Sequence, residues 1–295
     1  MILSCGEALV DLVPDPVPGG GPMNVAVAAS RRGAATAFVG CLSTDRYGEM
    51  ITAHLRGSGV DLSLTQTSDR PTARAIVEHV PRLAFTFEGE DTADTRLGPV
   101  DPSVLDRPAR IVHGGTLGLF RGRTAESLAS LAEAHDGLVS LDPNVRPQII
   151  EDREAWLHFH QRWVTATDLY KGSDEDLDWI WPDRPVEDCV DQLLDQGVAA
   201  VVVTRGAEGI EVITRAGTAA APAPAVDIVD TVGAGDTIVA AFLVALAERD
   251  AVTGAAVRAL TETDWATIGA GATEAAAITC SRPGADPPHR HEISW

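Results

Sequence analysis

The stretch DTVGAGDTIVAAF, from Asp230 to Phe242, places two glycines and an aspartate directly before an apolar helix. Apolar residues recur at helical spacing from Ile238 to Leu246, which predicts that the helix begins at about Gly233 to Gly235. The first N–H groups of a helix have no intrahelical partner and carry the positive end of its dipole. Beside the small residues Gly233, Ala234 and Gly235, these groups are expected to form an anion hole for a phosphate group.

Asp236 follows this turn, where a carboxylate would repel a phosphate. Its position is explained if it accepts a proton from a hydroxyl that attacks the phosphorus atom. The alternative is that Asp230 and Thr231 cap the helix, and that Asp236 occupies its first turn because acids are favoured there. The motif taken alone favours this alternative, so the decision rests on the remainder of the chain.

Strand-like and helix-like segments alternate along the chain, which predicts a three-layer, doubly wound α/β fold around a mostly parallel sheet. The predicted strands are Ile2 to Cys5, Thr36 to Leu42, Arg110 to His113, Leu138 to Leu141, Asp168 to Lys171 and Ala199 to Thr204. The predicted helices are Pro22 to Arg32, Arg46 to Arg56, Thr124 to His135, Arg153 to Val164 and Val186 to Gln196. No linker divides the chain, so we expect one domain over residues 1–295.

Small and polar residues follow several of these strands, and in doubly wound sheets the ligand cleft lies at the carboxyl ends of the strands. We therefore expect one shared cleft lined by Gly114 and Gly115, Asp142 and Asn144, Lys171 and Ser173, and Thr204 and Gly206.

The segment VPGGGPMNVAVAASRRG, Val17 to Gly33, supplies a second candidate ligand contact. Pro22 suits the first position of a helix, and the glycines before it allow the backbone to approach a ligand. Asn24 offers a donor and acceptors to a neutral polyol. The alternative is a flexible loop before a buried helix.

Thr72 to His79 and Leu83 to Glu88 alternate apolar and polar residues around a turn, which predicts a β-hairpin. With Ala8 to Val13 the hairpin could form a small sheet over the cleft. An edge hairpin without a function is the alternative.

Composition excludes several classes of function. The formal net charge of −20 disfavours nucleic acid as a partner. Residues 1–14 fit neither a signal peptide nor a membrane span, so we expect a cytoplasmic protein. The four cysteines are widely spaced, which favours buried thiols. Lys171, the only lysine, is followed by Gly172, so no Walker-type loop is present. The protein-kinase motifs are absent, and a dinucleotide fingerprint is not convincing.

DTVGAGD and GGGPMNVAVAASRRGAATAFVG resemble the two signatures of the ribokinase-like (PfkB) carbohydrate kinases. GEALVDL, LDPNVRP, VVVTRGAEG and AAAITCSRPGA extend the resemblance nearly end to end, and it is closest to the fructokinase branch. The resemblance implies a ribokinase-like fold with a β-sheet lid from about residues 8–17 and 71–92. It also implies ATP-dependent phosphorylation of a sugar hydroxyl, with Mg²⁺ carried by the nucleotide, and a homodimer formed through the lid.

The resemblance also implies roles for individual residues. Asp236 matches the general base, and the backbone of Gly233, Ala234 and Gly235 matches the anion hole. The sugar-binding positions are Asp11, Gly20, Gly21 and Asn24, together with Arg146. The nucleotide-site positions are Lys171, Ser173, Asp176, Thr204, Gly206 and Gly209. A potassium site would use Asp230, Val232, Thr279, Arg282 and Gly284. The family usually has NxxE where this chain has Ser173 to Asp176, so serine replaces the asparagine and Asp176 occupies the glutamate position.

The first expectation for the substrate is a neutral ketohexose such as fructose. Arg146 could instead clamp a carboxylate, which would favour a sugar acid such as 2-keto-3-deoxygluconate. A nucleoside ranks third, with Phe85 and Phe87 as the candidates for stacking. A protein that binds or senses a sugar without catalysis is the alternative from another class.

Overall fold

The computed structural model describes residues 1–13, 15–80, 82–101 and 110–294. In chain order its strands are β1 Ile2–Cys5, β2 Leu9–Val13, β3 Asp15–Gly19, β4 Thr36–Val39, β5 Cys41–Ser43, β6 Gln66–Ser68, β7 Arg74–Val80, β8 Arg82–Glu88, β9 Ile111–Gly115, β10 Leu138–Asp142, β11 Leu169–Ser173, β12 Ala200–Thr204, β13 Ile210–Thr214 and β14 Gly217–Ala221. Its α-helices are α1 Gly21–Arg31, α2 Arg46–Gly57, α3 Gly122–Glu133, α4 Arg153–Ala166, α5 Asp174–Ile180, α6 Val186–Asp195, α7 Ala234–Glu248, α8 Gly254–Arg258 and α9 Glu262–Cys280.

The main sheet has the strand order β14-β13-β12-β11-β10-β9-β1-β4 in the described part of the chain. Within this sheet, strands β4, β1, β9, β10, β11 and β12 run parallel to one another. Strands β13 and β14 are antiparallel to their neighbours. β1, β4, β9 and β10 are buried along their whole length, as expected for strands that are covered on both faces. The predicted doubly wound, mostly parallel sheet is therefore confirmed.

Helices cover both faces of this sheet and form two apolar cores with it. One core takes Val25 from α1, Phe242 from α7 and Ile268 from α9. The other takes Trp156 from α4 and residues of α3 and α6. Helix α7 packs against both α1 and α9, which explains why it is apolar all round. Among the described helices, none has both the length and the hydrophobicity that a membrane span requires.

The predicted hairpin is present and belongs to a separate four-stranded sheet with the order β3-β2-β7-β8, which we call the lid sheet. Its β7 and β8 are antiparallel, and β2 pairs in parallel with β7. The chain rises from β1 of the main sheet directly into β2, so the lid sheet stands beside the carboxyl ends of the central strands.

The structure differs from the prediction in two parts of its secondary structure and in the burial of one cysteine. Thr36 to Leu42 is wrong as a single strand, because β4 ends at Val39 and β5 leaves the main sheet to pair with β6. Gly40 lies at this change of direction, where a Cβ atom would come within 2.5 Å of the Gly6 carbonyl oxygen. Strands β13 and β14 and helices α5, α8 and α9 were not predicted. Of the four cysteines, which are all free thiols, Cys280 is only partly buried.

Candidate active site

The amino-terminal end of α7 has one long backbone hydrogen bond, from the Ala234 amide to the Thr231 carbonyl oxygen at 3.3 Å. Its N-cap is Gly233, in the left-handed conformation with φ of 78°, and no described side chain caps this end. The alternative that Asp230 and Thr231 cap the helix is therefore wrong. The Asp230 carboxylate instead accepts hydrogen bonds from the amides of Val232 (3.0 Å) and Gly284 (2.9 Å). The first N–H groups of α7 thus lack the side-chain partner that helix termini usually acquire.

Asp236 lies in the first turn of α7 and is joined to α1 by a hydrogen bond. Asn24 Nδ2 donates to Asp236 Oδ2 at 2.8 Å, and each side chain belongs to a residue only 8% exposed. Burial raises the pKa of Asp236, while the Asn24 hydrogen bond and the positive charges of Lys171 and Arg146 oppose that rise. The structure therefore unites the two glycine-rich segments at one buried carboxylate.

Gly21, the first residue of α1, lies at the centre of this cleft. A Cβ atom at Gly21 would lie 2.6 Å from Thr116 Oγ1 and 3.4 Å from both Asn144 Nδ2 and Asp236 Oδ1. Asn144 Nδ2 donates to Thr116 Oγ1 at 3.2 Å. Only a residue without a side chain fits between these polar groups.

Thr116 and Asn144 hold positive φ angles of 49° and 38°. Such angles cost a residue with a side chain about 1–2 kcal/mol, and they cluster at functional sites. Asn144 was predicted at a strand end, whereas Thr116 was not predicted as a site residue, because a strained turn has no signature in residue type.

Asp11 lies on β2 of the lid sheet and faces the same cleft. A Cβ atom at Gly19 would lie 2.2 Å from Asp11 Oδ2, so the adjacent strand β3 needs a glycine there. The pKa of Asp11 is raised to about 6, mainly by burial and also by repulsion from Asp236, while the positive charge of Arg146 opposes the rise. Arg146 is exposed and donates hydrogen bonds to the carbonyls of Asn144 and Val145.

Lys171 forms a buried ion pair close to the start of α7. Its Nζ atom lies 3.0 Å from Asp142 Oδ2, and the two side chains are only 8% and 4% exposed. Burial lowers the pKa of Lys171, but the charges of Asp142 and Asp176 outweigh burial, so the ammonium group keeps its proton. A Cβ atom at Gly235 would lie 3.2 Å from this Nζ atom. The only lysine of the chain is therefore adjacent to the turn predicted to hold a phosphate.

Ser173 and Asp176 form a capping box at the start of α5. Asp176 Oδ2 accepts from the amide and the hydroxyl of Ser173 at 2.9 and 2.8 Å, and Oδ1 accepts from the Val145 amide at 2.7 Å. Both oxygens are thus engaged by the protein, and the pair joins α5 to the loop after β10. This arrangement gives a structural reason for Ser and Asp at the altered NxxE positions.

The remaining positions predicted to contact the nucleotide lie at the end of β12 and on the turn after it. Thr204 ends β12 opposite Ser173, and Gly206 and Gly209 both have positive φ angles. A Cβ atom at Gly209 would lie 2.2 Å from the Ala221 carbonyl oxygen, so this turn requires glycine. The turn is partly exposed beside the first turn of α5.

The structure gathers most of the positions proposed for potassium. Asp230 binds the amides of Val232 and Gly284 as described, and Thr279 Oγ1 lies 3.0 Å from Thr237 Oγ1 of α7. Arg282 differs, because its guanidinium pairs with Glu292 at 2.6 Å. Within the described residues, no group of three or more His, Cys, Asp or Glu side chains could hold a metal ion.

A model described as "pfkB family carbohydrate kinase" matches residues 15–292. The chain belongs to this family. It is similar to the fructokinase of Rhizobium leguminosarum bv. trifolii, with 34% identity over 275 residues, 89% of this chain and 84% of that protein. This pfkB kinase also resembles the ATP-bound fructokinase structure from Xylella fastidiosa, with a TM-score of 0.89, 26% identity, and 96% and 93% of the two chains covered.

A second solved relative of this pfkB kinase is the fructokinase of Vibrio cholerae O395 in a form bound to fructose, ADP and calcium ion. It has a TM-score of 0.81 and 27% identity, and the match covers 96% of this chain and 94% of that one. A double mutant of the Vibrio enzyme was solved with fructose, ADP and potassium ion, at the same TM-score of 0.81, with 25% identity and 96% and 93% coverage.

Sequence analysis did not identify Glu7 as a site residue. Glu7 follows β1, is 1% exposed, and accepts hydrogen bonds from the amides of Gly21 and Gly118. The one available signal was an acid that interrupts an apolar run at GEALVDL. That signal does not show what the acid contacts, because its partners lie on distant segments.

Proposed function

We propose that this carbohydrate kinase transfers the terminal phosphoryl group of ATP to a hydroxyl of a ketohexose, with fructose as the first choice. The main support for this proposal is the buried Asp236 carboxylate, which lies at the start of α7, where no described side chain caps the helix. Its Oδ2 atom is 2.8 Å from Nδ2 of Asn24 in the second glycine-rich segment. The solved relatives bound to ATP, or to fructose and ADP, support the choice of substrates.

In this proposal Asp236 accepts the proton of the attacking hydroxyl as the hydroxyl oxygen bonds to phosphorus and the bond to ADP breaks. Its raised pKa suits a base that must take up a proton near neutral pH. The N–H groups at Gly233, Ala234 and Gly235 hold the charge on the transferred group, and the adjacent Lys171 ammonium adds to the positive potential.

Asp11, Gly20, Gly21 and Asn24 are proposed to contact the sugar. A neutral sugar is favoured over a sugar acid because two carboxyl groups, Asp11 and Asp236, face this part of the cleft and the charge of Arg146 already acts on both. A nucleoside is disfavoured because the ring of Phe87, one of its two stacking candidates, lies 4.6 Å from the Arg121 guanidinium. The Phe85 side chain falls outside the described residues.

Thr204, Gly206 and Gly209 are proposed to contact the nucleotide, together with Lys171 and Ser173. Mg²⁺ would enter on the nucleotide and offset the charge of its phosphates. We propose that Asp176 contacts this ion through water, since both its oxygens already accept protein hydrogen bonds. We also propose that potassium binds at the loop of Asp230, Val232 and Gly284, beside Thr279 and the backbone of Arg282. The potassium-bound Vibrio double mutant supports this assignment.

A homodimer through the lid sheet is proposed because both edge strands of that sheet, β3 and β8, lack a neighbour in the described chain. Val17 on β3 is also 42% exposed. Sedimentation at micromolar concentration should show a dimer, and a monomer alone would contradict it. A cytoplasmic location is proposed because the reaction consumes ATP.

The proposed function is tested by measuring the rate of ADP release from ATP with a panel of acceptors: ketohexoses, aldohexoses, 2-keto-3-deoxygluconate and nucleosides. Fructose should give the highest kcat/KM, and Asp236→Asn should lower kcat by about 10²- to 10⁴-fold. Asp168→Asn is the matched control, because that carboxylate also accepts a hydrogen bond, from the Val139 amide at 3.1 Å, but lies at the start of β11. Sugar binding by calorimetry without turnover would instead indicate a sugar sensor.

A further inference from the structure

The Glu7 carboxylate joins two segments that form the sugar side of the cleft. Glu7 Oε1 accepts from the Gly21 amide at 3.2 Å, and Oε2 accepts from the Gly118 amide at 2.9 Å. The residue is 1% exposed, so these contacts are shielded from solvent. A buried carboxylate whose oxygens each hold a different backbone segment restrains their separation directly.

The first of these segments is the start of α1. Gly20, its N-cap, has no side chain, so Glu7 supplies from a distance the acceptor that an N-cap side chain normally provides. A negative charge is favoured at this end of a helix. Gly21 and Asn24 both belong to this first turn, so Glu7 fixes the turn that contacts Asp236.

The second segment is the turn from Thr116 to Leu119, which contains Gly118. Thr116 faces Gly21 across the cleft and accepts the Asn144 hydrogen bond. Because Glu7 binds the Gly118 amide, it also restrains the strained Thr116 at a fixed distance from Gly21. Through its two oxygens Glu7 sets the spacing between opposite walls of the cleft.

The surroundings of Glu7 disfavour the ionised form of its carboxyl group. The pKa of Glu7 is raised to about 7, mainly by burial; hydrogen bonds from the amides of Glu7 itself and Gly118 oppose this rise, and the charges of Asp94 and Asp236 contribute to it. Arg121 is paired with Asp94 at 2.6 Å. An apolar residue would remove this cost, so the carboxylate is retained for what it holds.

We propose that Glu7 is a positioning residue for the sugar, which keeps Gly21 and Thr116 in a fixed relation to the Asp236 carboxylate. The inference rests on the proposed sugar kinase activity at this site. It predicts that a substitution of Glu7 weakens the binding of the sugar and leaves the binding of the nucleotide unchanged.

Glu7→Gln tests the proposal, because the amide keeps the size of the side chain but turns a donor toward one of the two N–H groups. We expect the Kd for fructose by calorimetry, and its KM, to rise about 10- to 100-fold from one lost charged hydrogen bond. The KM for ATP should stay within about twofold. The pH dependence of fructose binding near pH 7 should flatten, because the group that titrates there is gone. Asp168→Asn, the corresponding change at a remote and partly buried acid, should leave both constants unchanged.

The proposal is overturned if folded Glu7→Gln binds fructose like the wild type, or if the constants for fructose and ATP rise equally. Thermal unfolding shows whether the variant is folded. If it is not, Glu7→Asp keeps the charge but cannot reach both amides, and the same comparison applies to it. A wild type that phosphorylates no sugar would refute the proposed function and this inference with it. If the wild type phosphorylates sugar but Glu7→Gln binds fructose with unchanged constants, the inference alone is refuted.

Discussion

Gly235→Ala separates the stability of this protein from its proposed chemistry. Gly235 is the second residue of α7, and its φ angle is not among those in the positive range. Among the described residues outside the backbone of α7, an added methyl group would contact only the side chain of Lys171 within 4 Å, at 3.2 Å from Nζ and 3.9 Å from Cε. The substitution therefore requires no change of backbone conformation.

Two opposing effects set the expected change in stability. Alanine is favoured over glycine in a helix by about 1 kcal/mol, and somewhat less near the end of the helix. Against this, the Lys171 ammonium must move by a few tenths of an ångström while it stays paired with Asp142 at 3.0 Å. We expect the free energy of unfolding to change by less than about 1 kcal/mol.

Activity should change far more. The methyl group would stand over the N–H groups that are proposed to hold the transferred phosphoryl group, and would keep its oxygens from approaching. Loss of one such donor costs about 2.7–4 kcal/mol of transition-state stabilisation, so kcat should fall about 10²- to 10³-fold.

The assay is steady-state ADP release at saturating fructose and ATP, with urea unfolding of the same preparation. Gly57→Ala is the matched control, since Gly57 is also helical and is exposed at the end of α2. An added Cβ atom there meets no other described residue within 4 Å. Wild-type kcat in Gly235→Ala would show that no phosphoryl group approaches this turn. A parallel loss of kcat and stability would show that the fold, not the site, was damaged.

Three further predictions concern other groups. Because the pKa of Asp11 is raised to about 6, its ionised form prevails above that pH, and fructose affinity should fall as the pH drops through about 6; Asp11→Asn should remove this step in a calorimetric pH series. Arg121→Ala should lower the free energy of unfolding by about 3–5 kcal/mol in urea, because it leaves Asp94 buried and unpaired, whereas the exposed pair of Arg110 should matter little. Replacing potassium by tetramethylammonium should lower kcat/KM, and Asp230→Asn should abolish that response; equal rates in both salts would contradict the potassium site.

The start of α7 and the start of α1 could be predicted from sequence because each combines helical periodicity with small residues or proline at the first turn. Their meeting could not be predicted in the same way. Asn24 and Asp236 are 212 residues apart, and only the packing of α1 against α7 brings them to hydrogen-bonding distance.

Helix α9 escaped prediction because its sequence, ETDWATIGAGATEAAAITC, is rich in alanine and glycine and has little contrast between its faces. Strand β14, GTAAA, likewise lacks the β-branched and aromatic residues that indicate a strand. Glu7 and Thr116 were missed for another reason, since their importance lies in a burial and a φ angle that residue type does not encode.

The burial of Lys171 also determines how this protein responds to amine-directed reagents. The chain has one ε-amino group, it is 8% exposed, and acylating it would leave the Asp142 carboxylate without its partner. Reagents that acylate amines should therefore react slowly with Lys171 in the folded protein. Coupling to a surface, a dye or a cross-linker through this side chain would require the contact with Asp142 to open.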